Sequence, residues 1–303
     1  MAIGDLEKVE HPSASDIYYV DTGMYGIAEY GAVYVLDTPE PAVIDTGIGK
    51  DVEHTLAGLA AVGIDREELS YIVPTHVHLD HAGGAGFLAD ACPEATVLCP
   101  EVGVPHLVDP SRLWAGTKRA VGERIEFYRE PKPVPDDRIE ALAGGDTIDL
   151  GDRTLDVYDA PGHAPHQAVF HSPADDAVFV ADAAGIYAQR PDSVRPTSPP
   201  SNFDLEQCLE DVETIRGLDP ELLLYGHYGP TETGEKLTVY ETVLREWVEE
   251  IAAERERLDS DEAVVETVAS RVPVVEPWTE RAVYTEAAMN VRGVLGYLDA
   301  REE

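Results

Sequence analysis

Positive charge is scarce in this chain. Its 303 residues include 22 lysines and arginines against 59 aspartates and glutamates, and only five of the basic residues are lysines, so the formal net charge is −37. Nucleic acids and anionic membranes are bound through basic patches, and the composition therefore argues against both as partners. A solvated acidic surface, as in proteins from a high-salt cytoplasm, explains the excess better than an acidic binding face. We expect a halophilic protein whose folding depends on salt.

Cysteine is also rare, and the three cysteines are Cys92, Cys99 and Cys208. An odd number without a CxxC pair indicates neither a disulfide framework nor a thiolate zinc site. We expect these side chains to serve as small buried apolar groups.

Long apolar runs are missing as well. No stretch of 18 consecutive apolar residues occurs, so no transmembrane helix is predicted, and residues 1–10 carry charges without the apolar core of a signal peptide. Hydrophobic residues make up 44% of the chain, which is enough for a sizeable core. We expect a soluble, cytoplasmic protein that acts on a small-molecule substrate, with a monomer and a homodimer both open.

The apolar pattern predicts two groups of short strands, each followed by helix. The first group is residues 17–20, 32–36, 42–45, 69–74 and 96–98, and the second is 147–150, 153–158, 168–171 and 177–181; a further strand is predicted at 222–225. Helices are predicted at 51–62 with Asp51 as cap, at 101–129 with breaks at Pro105 and Pro110, and at 205–216, 235–258, 260–270 and 279–298. Residues 183–202 are predicted to form a long structureless loop, of the kind that often serves function.

The most informative stretch is Thr75-His76-Val77-His78-Leu79-Asp80-His81, which follows a predicted buried strand. Three imidazoles and a carboxylate this close together are hard to explain as packing. In an extended segment His76 and His78 point to the same side, because side chains alternate with period two. Asp80 and His81 fall where a helix is predicted to begin, so they can reach a neighbouring position. The stretch therefore favours a metal site whose geometry could hold two metals rather than one.

Further candidate ligands stand at the ends of other apolar strands. His163 follows Ala160-Pro161-Gly162, and Asp182 and His227 come directly after predicted strands. Imidazole and carboxylate are suitable donors for Zn²⁺, Fe²⁺ or Mn²⁺. Asp45 also ends a predicted strand, where it either caps a turn or hydrogen-bonds the histidine stretch.

Together these residues resemble the metallo-β-lactamase fold superfamily, on its glyoxalase II-like side. The HxHxDH signature is intact, and the resemblance covers about residues 15–230. One departure is Gly162-His163-Ala164-Pro165-His166-Gln167, where glyoxalase II-like proteins often carry GHTxGH; this form resembles a less characterised branch. His166 is left open between a place near the pocket and a structural hydrogen bond.

The resemblance implies an α/β fold, a four-layer αββα sandwich with a C-terminal helical extension. Residues 1–230 would form the sandwich with a helical insertion at about 101–130, and residues 231–303 a C-terminal helical segment. The pocket would be walled by the insertion, the 183–202 segment and the C-terminal helices. The resemblance further implies two metal ions and the residues that hold them: His76, His78 and His163 for the first metal, Asp80, His81 and His227 for the second, and Asp182 as the bridge between them.

Two divalent cations, Zn²⁺ foremost with Fe or Mn as alternatives, would lower the pKa of a shared water enough to give a bridging hydroxide near neutral pH. That hydroxide can attack an acyl carbon or a phosphorus. Asp80 could also orient the water or accept its proton. Tyr187, five residues after Asp182, either hydrogen-bonds a substrate oxygen or packs in the core.

The function we expect is metal-dependent hydrolysis of a small ester, thioester or lactone. One alternative is a mononuclear iron persulfide dioxygenase that uses His76, His163 and Asp182. Another is hydrolysis of small phosphodiesters. A binding module without activity is the least favoured interpretation, because every ligand position is filled.

Overall fold

Residues 1–302 are described by a computed structural model, in which most strands belong to two sheets. In the first sheet, neighbouring strands follow chain order, antiparallel up to β4 and parallel from β4 onward. These strands are β1 (Leu6–Lys8), β2 (Ile17–Asp21), β3 (Ala32–Leu36), β4 (Ala42–Ile44), β5 (Tyr71–Val73), β6 (Thr96–Pro100) and β7 (Ile139–Leu142).

The second sheet collects the later strands. They are β8 (Thr147–Asp149), β9 (Thr154–Asp159), β10 (Ala168–Ser172), β11 (Ala177–Phe179), β14 (Leu222–Tyr225) and β15 (Gly229–Glu232). Their order across the sheet is β15-β14-β11-β10-β9-β8, and β11 and β14 run parallel while the other neighbours are antiparallel.

The helices lie along the chain as follows: α1 (Val52–Val62), α2 (Leu79–Ala82), α3 (Ala85–Ala91), α4 (Val104–Val108), α5 (Ser111–Val121), α6 (Leu205–Gly217), α7 (Lys236–Arg257), α8 (Asp261–Ala269) and α9 (Glu280–Glu302). Within residues 1–302, none of them is long and apolar enough to cross a membrane.

Alternation of side chains along the strands builds the layers. In β3, Tyr34 and Leu36 enter the core between the two sheets, whereas Val33 and Val35 enter a core with α1 and α3 on the other face. A strand that is apolar on both faces belongs to a sheet covered on both sides. The first sheet is therefore sandwiched between helices and the second sheet.

The second sheet is covered in the same way. Leu222 and Leu224 of β14 face the first sheet, while Leu223 and Tyr225 pack in a core with residues of α6, α7, α8 and α9. The fold is thus helix, sheet, sheet, helix, and the predicted αββα sandwich with C-terminal helices is confirmed. The domain boundary at residue 230 stays a prediction, although α7–α9 share one core with the second sheet.

The predicted structureless segment at 183–202 is wrong in its central part. Residues Ile186–Ala188 and Ser193–Arg195 form a hairpin, β12 and β13, in which Tyr187 pairs with Val194. Both strands span three residues and are separated by a short turn, so their pattern is too brief to stand out from a proline-rich surrounding. The hairpin packs against α7.

The predicted helix at 101–129 is divided into α4, α5 and 3₁₀ turns at Glu101–Gly103 and Gly122–Phe127. Pro110 does separate α4 from α5, but Pro105 lies in the first turn of α4, where proline has no hydrogen bond to lose. Asp51 precedes α1 as predicted, yet its side chain makes no capping hydrogen bond.

Candidate metal centre

The predicted ligands meet at one edge of the sandwich. His76 and His78 follow β5, His163 lies in the connection from β9 to β10, and Asp182 and His227 follow β11 and β14. Because β11 and β14 are parallel neighbours, their carboxyl ends lie side by side. The Ala168 N–H at the start of β10 donates to the Thr75 carbonyl at 2.9 Å and joins the two sheets at this edge.

Three imidazole nitrogens converge in the first group. His76 Nε2 lies 3.0 Å from His78 Nδ1, and His78 Nδ1 lies 3.1 Å from His163 Nε2. All three donor atoms fall within the spacing of a shared metal ion. This is the set that the resemblance assigns to the first metal.

The second group is formed by Asp80, His81 and His227, which also present one donor atom each at metal-ligand spacing. His227 Nε2 lies 3.7 Å from Asp80 Oδ2. Asp182 faces both groups: its Oδ2 is 3.1 Å from His163 Nε2 and 3.6 Å from His81 Nε2, and its Oδ1 is 3.8 Å from His227 Nε2.

Hydrogen bonds on the far side of the rings set the tautomers of His81 and His227. His81 Nδ1 lies 2.8 Å from Asp45 Oδ2, and His227 Nδ1 lies 2.9 Å from the Tyr30 carbonyl, which can only accept. Each ring therefore donates from Nδ1, so that in its neutral form the Nε2 lone pair faces the centre. Metal-binding histidines are oriented by acceptors in this way.

The ring of His76 is oriented by a relay. Thr75 donates its hydroxyl hydrogen to Asp45 Oδ1 at 2.8 Å, so its oxygen is free to accept from His76 Nδ1 at 3.2 Å. Asp45 Oδ1 also accepts the Thr75 backbone N–H at 2.8 Å. Of the two roles left open for Asp45, the structure shows the hydrogen bonds to the histidine stretch. Asp45 reaches it from a left-handed backbone conformation with φ of 64°.

Burial and charge together prepare the donor set. Burial lowers the pKa of His76 well below its ordinary value and that of His163 to about 3, so both rings are neutral. Burial opposes the ionised forms of Asp80 and Asp182, but the surrounding imidazoles outweigh it and hold the pKa of both carboxyls well below the usual range. Burial likewise opposes a charged His81, but Asp45 and Asp182 raise its pKa well above the ordinary value.

These residues fit a bound cation. The two ionised carboxylates need a positive partner. Either a metal ion or a protonated His81 can supply that positive charge. His81 Nε2 and Asp182 Oδ1 are buried and have no hydrogen-bond partner among residues 1–302. Buried polar atoms without partners are rare, and an ion is a common explanation.

Two connected cavities open onto the centre. The inner cavity measures about 80 Å³ and is lined by Asp80, Asp182 and His227. The outer cavity measures about 1090 Å³ and is lined by α4, α5, residues 199–202 and α9. His78 and His163 line both cavities, so the outer one leads to the metal centre. The predicted pocket walls are confirmed, since the insertion, part of 183–202 and a C-terminal helix supply them.

Tyr187 is the predicted site residue that the structure does not bring to the centre. Its hydroxyl donates to Asp192 Oδ1 at 2.9 Å, and its ring packs 5.5 Å from that of Tyr225.

His166 does come close to the centre, with its ring 5.3 Å from that of His78 and 6.0 Å from that of His106. Both His166 and His106 line the outer cavity.

Several residues near the centre were not identified from the sequence. Tyr25 and Tyr128 line the inner cavity with their hydroxyl oxygens 2.6 Å apart, and both side chains are buried. Glu286 of α9 lies on the same wall, and burial raises its pKa to about 8. Tyr128 lies within the insertion that was predicted to wall the pocket, but nothing in the sequence marks Tyr128, Tyr25 or Glu286 individually.

Known proteins are similar to this chain in sequence and in fold. A profile described as the metallo-beta-lactamase superfamily matches residues 27–227. The chain is similar to a hydroxyacylglutathione hydrolase from Erythrobacter litoralis, at 29% identity over 246 residues that span 80% of this chain and 79% of that protein. It is also similar to an acyl-coenzyme A thioesterase from Gallus gallus, at 29% identity over 234 residues spanning 74% of this chain and 82% of the other.

The fold has a solved counterpart in an archaeal metallo-beta-lactamase superfamily protein from Sulfolobus tokodaii. The two superpose with a TM-score of 0.70 over 96% of this chain and all of the other, at 21% identity. An identity this low supports the fold alone. The profile match, which spans two thirds of the chain and contains each of the converging histidines and aspartates, decides the family. The chain belongs to the metallo-beta-lactamase superfamily.

Proposed function

We propose that this chain is a binuclear metal-dependent hydrolase of small thioesters, esters or lactones. The observation that carries the proposal is the position of Asp182, which faces both groups of imidazoles and lines the inner cavity. A carboxylate shared between two donor groups suits two cations that act on one substrate. The names of two relatives, a hydroxyacylglutathione hydrolase and an acyl-coenzyme A thioesterase, support acyl transfer to water and favour thioesters.

His76, His78 and His163 would hold the first ion and Asp80, His81 and His227 the second, with Asp182 on both. Imidazole and carboxylate donors suit Zn²⁺, with Fe and Mn as alternatives. Bound cations of this kind polarise a carbonyl oxygen and increase the acidity of water.

The chain supplies the remaining steps from its own side chains. Asp80 keeps 25% of its side chain exposed, toward the cavity. Its carboxylate, held ionised by the neighbouring imidazoles, can accept a hydrogen bond from a water and orient it. The paired hydroxyls of Tyr25 and Tyr128 share one hydrogen between them, so a second hydrogen is free to donate to a substrate oxygen. The small volume of the inner cavity limits how much water can surround the reacting group.

The proposal is tested by metal analysis of the natively expressed protein. Turnover is then measured on the same sample with a thioester, an ester, a lactone and bis-p-nitrophenyl phosphate. We expect two divalent ions per chain and hydrolysis of the acyl substrates. The variants His76→Ala and Asp182→Ala should lose that activity, while His171→Ala, a half-buried histidine of β10, should keep it. Undiminished turnover in either of the first two variants contradicts the proposal, and so does one iron per chain with oxygen uptake on a thiol persulfide.

A further inference from the structure

The outer cavity is rich in arginine although the chain as a whole is strongly acidic. Its wall carries Arg112, Arg119, Arg124, Arg281 and Arg292, and Glu123 is the one carboxylate that lines it among residues 1–302. The complete chain has 59 acidic residues and 17 arginines. The local balance of charge in this cavity is therefore the reverse of that of the molecule.

Some of these arginines already have partners. Arg281 pairs with Glu123 at 2.8 Å and Arg292 with Glu262 at 3.1 Å. Arg124 donates to the Ala282 carbonyl and lies over the Tyr25 ring at 4.7 Å, so it is held in the wall between the two cavities.

Arg112 and Arg119 differ from the others. In the described part of the chain, no carboxylate oxygen lies within 4.0 Å of a guanidinium nitrogen of Arg112 or Arg119. They stand seven residues apart in α5, hence on one face and about two turns, or roughly 10 Å, from each other along the axis. Guanidinium groups bind carboxylate and phosphate through two parallel hydrogen bonds. Arg112 and Arg119 are exposed on one wall of the outer cavity, so both cations are available to bind an anion from outside the chain.

We propose that the part of the substrate remote from the scissile bond carries an acidic group, a carboxylate or a phosphate, which Arg112 and Arg119 bind in the outer cavity. The inference rests on the proposed function, because the reacting bond is placed in the inner cavity. A negatively charged protein repels an anionic substrate at long range, and arginines in the outer cavity offset that repulsion where binding occurs.

The test uses S-acetyl thioesters of three thiols that differ only at the far end of a six-carbon chain, which carries a carboxylate, a phosphate or a neutral amide. We expect wild type to prefer one of the acids over the amide by roughly tenfold in kcat/KM, the size expected for one charge-assisted contact. The better acid identifies the source of the anion. In the double variant R112Q/R119Q the ratio of acid to amide should fall to near one.

Arg245→Gln is the matched control. Arg245 is an exposed arginine on the helix α7, away from the cavity, and its substitution removes the same charge as each substitution in the double variant. Its acid-to-amide ratio should equal that of wild type. Equal rates for acids and amide in wild type, or a preference that survives in R112Q/R119Q, overturns the inference.

A binding measurement separates this inference from the proposed function. The corresponding S-methyl thioethers have no scissile acyl group, and their affinity is measured by ligand-observed NMR titration. If no thioester is hydrolysed but the acidic thioethers still bind more tightly than the amide and lose that advantage in R112Q/R119Q, the hydrolase assignment fails and the anion site stands. If thioesters are hydrolysed and the thioethers bind alike, the anion site fails and the hydrolase assignment stands.

Discussion

Asp45 connects two parts of the metal centre through one buried carboxylate. One of its oxygens accepts from the Thr75 backbone and hydroxyl, and the other accepts from His81. In Asp45→Asn the side-chain oxygen can still serve Thr75, but the amide NH₂ then faces His81 Nδ1 and favours a hydrogen on Nε2, where the metal should bind. We expect the affinity of the second ion to fall roughly 10- to 100-fold, measured by chelator competition and metal content.

Asp175→Asn is the control for that substitution. Asp175 is equally buried and pairs with Arg153 at 2.8 Å, but it lies in the turn between β10 and β11, at the opposite end of these strands from the centre. The variant should lose stability and keep both ions. Full retention of the second ion in Asp45→Asn would show that Asp45 has no part in orienting His81.

Tyr25 and Tyr128 offer a second test with single residues. Burial raises the pKa of both phenols, so both stay protonated at neutral pH. Tyr25 sits at a φ of 59°, which a bulky residue adopts rarely and which often marks a functional position. Tyr128→Phe should lower kcat by up to about 10²-fold if the pair donates to a substrate oxygen. Because the hydroxyls act as one unit, Tyr25→Phe/Tyr128→Phe should be hardly worse than the worse single variant.

Tyr187→Phe decides between the expectation from sequence and the contacts in the structure. Loss of kcat in that variant, with little change in Tyr128→Phe, would favour Tyr187 as the donor. The reverse result would favour the tyrosine pair. Fluorescence and thermal melting of each variant check that the fold is retained.

The candidate ligands could be identified from sequence because their chemistry restricts residue type and their positions are marked by apolar strands. His163, Asp182 and His227 each follow such a strand. Tyr25 and Tyr128 could not be identified, because both lie in or beside 3₁₀ turns that become neighbours only through tertiary packing. Tyr187 illustrates the same limit, since its distance from Asp182 along the chain says nothing of where the ring points.

At the scale of elements, helix α9 holds the wall of the inner cavity through Ser198. The Ser198 N–H donates to Asn290 Oδ1 at 2.8 Å, and its hydroxyl donates to the Asn290 carbonyl at 2.9 Å. Gly293, one turn later, allows this approach: a Cβ there would lie 1.8 Å from the Ser198 carbonyl oxygen. The neighbouring residues Thr197 and Pro199 line the inner cavity.

Replacing two glycines of α9 by alanine should therefore have opposite effects. Gly293→Ala forces the helix and the 197–200 segment apart, which should cost about 1 to 3 kcal/mol and raise KM. Gly296→Ala, where a Cβ would meet nothing within 4 Å, should stabilise the helix by about 0.5 to 1 kcal/mol. Urea unfolding of both variants gives the comparison. Equal stability of the two would mean that α9 does not press against this segment.

Long periodic elements such as α7 and α9 could be predicted within a few residues, because their apolar stripes repeat over several turns. The hairpin of β12 and β13 could not, because each strand has three residues and gains its stability from packing on α7. The outer sheet strands β1 and β15 were missed for a related reason: they are largely exposed or short and carry little apolar signal.

Across the whole molecule, positive and negative charges are distributed unevenly over the surface. Arginines gather in the outer cavity, while the surplus of acidic residues is left to the remaining surface. Exposed ion pairs such as that between Lys8 and Asp16 contribute little each. The folded chain therefore brings many like charges closer together than the unfolded chain does, and this repulsion opposes folding.

Salt should relieve that repulsion. The screening length falls from about 10 Å at 0.1 M to about 3 Å at 1 M salt, so at a net charge of −37 we expect molar KCl to stabilise the fold. The melting temperature should rise by roughly 5 °C or more between 0.1 M and 2 M KCl, a gain of a few kcal/mol in a chain of this size. Sucrose, which strengthens burial without screening charge, is the control and should give a smaller rise at matched osmolality. A melting temperature that stays flat in KCl, or that rises equally in sucrose, would mean that the acidic surface is no adaptation to salt.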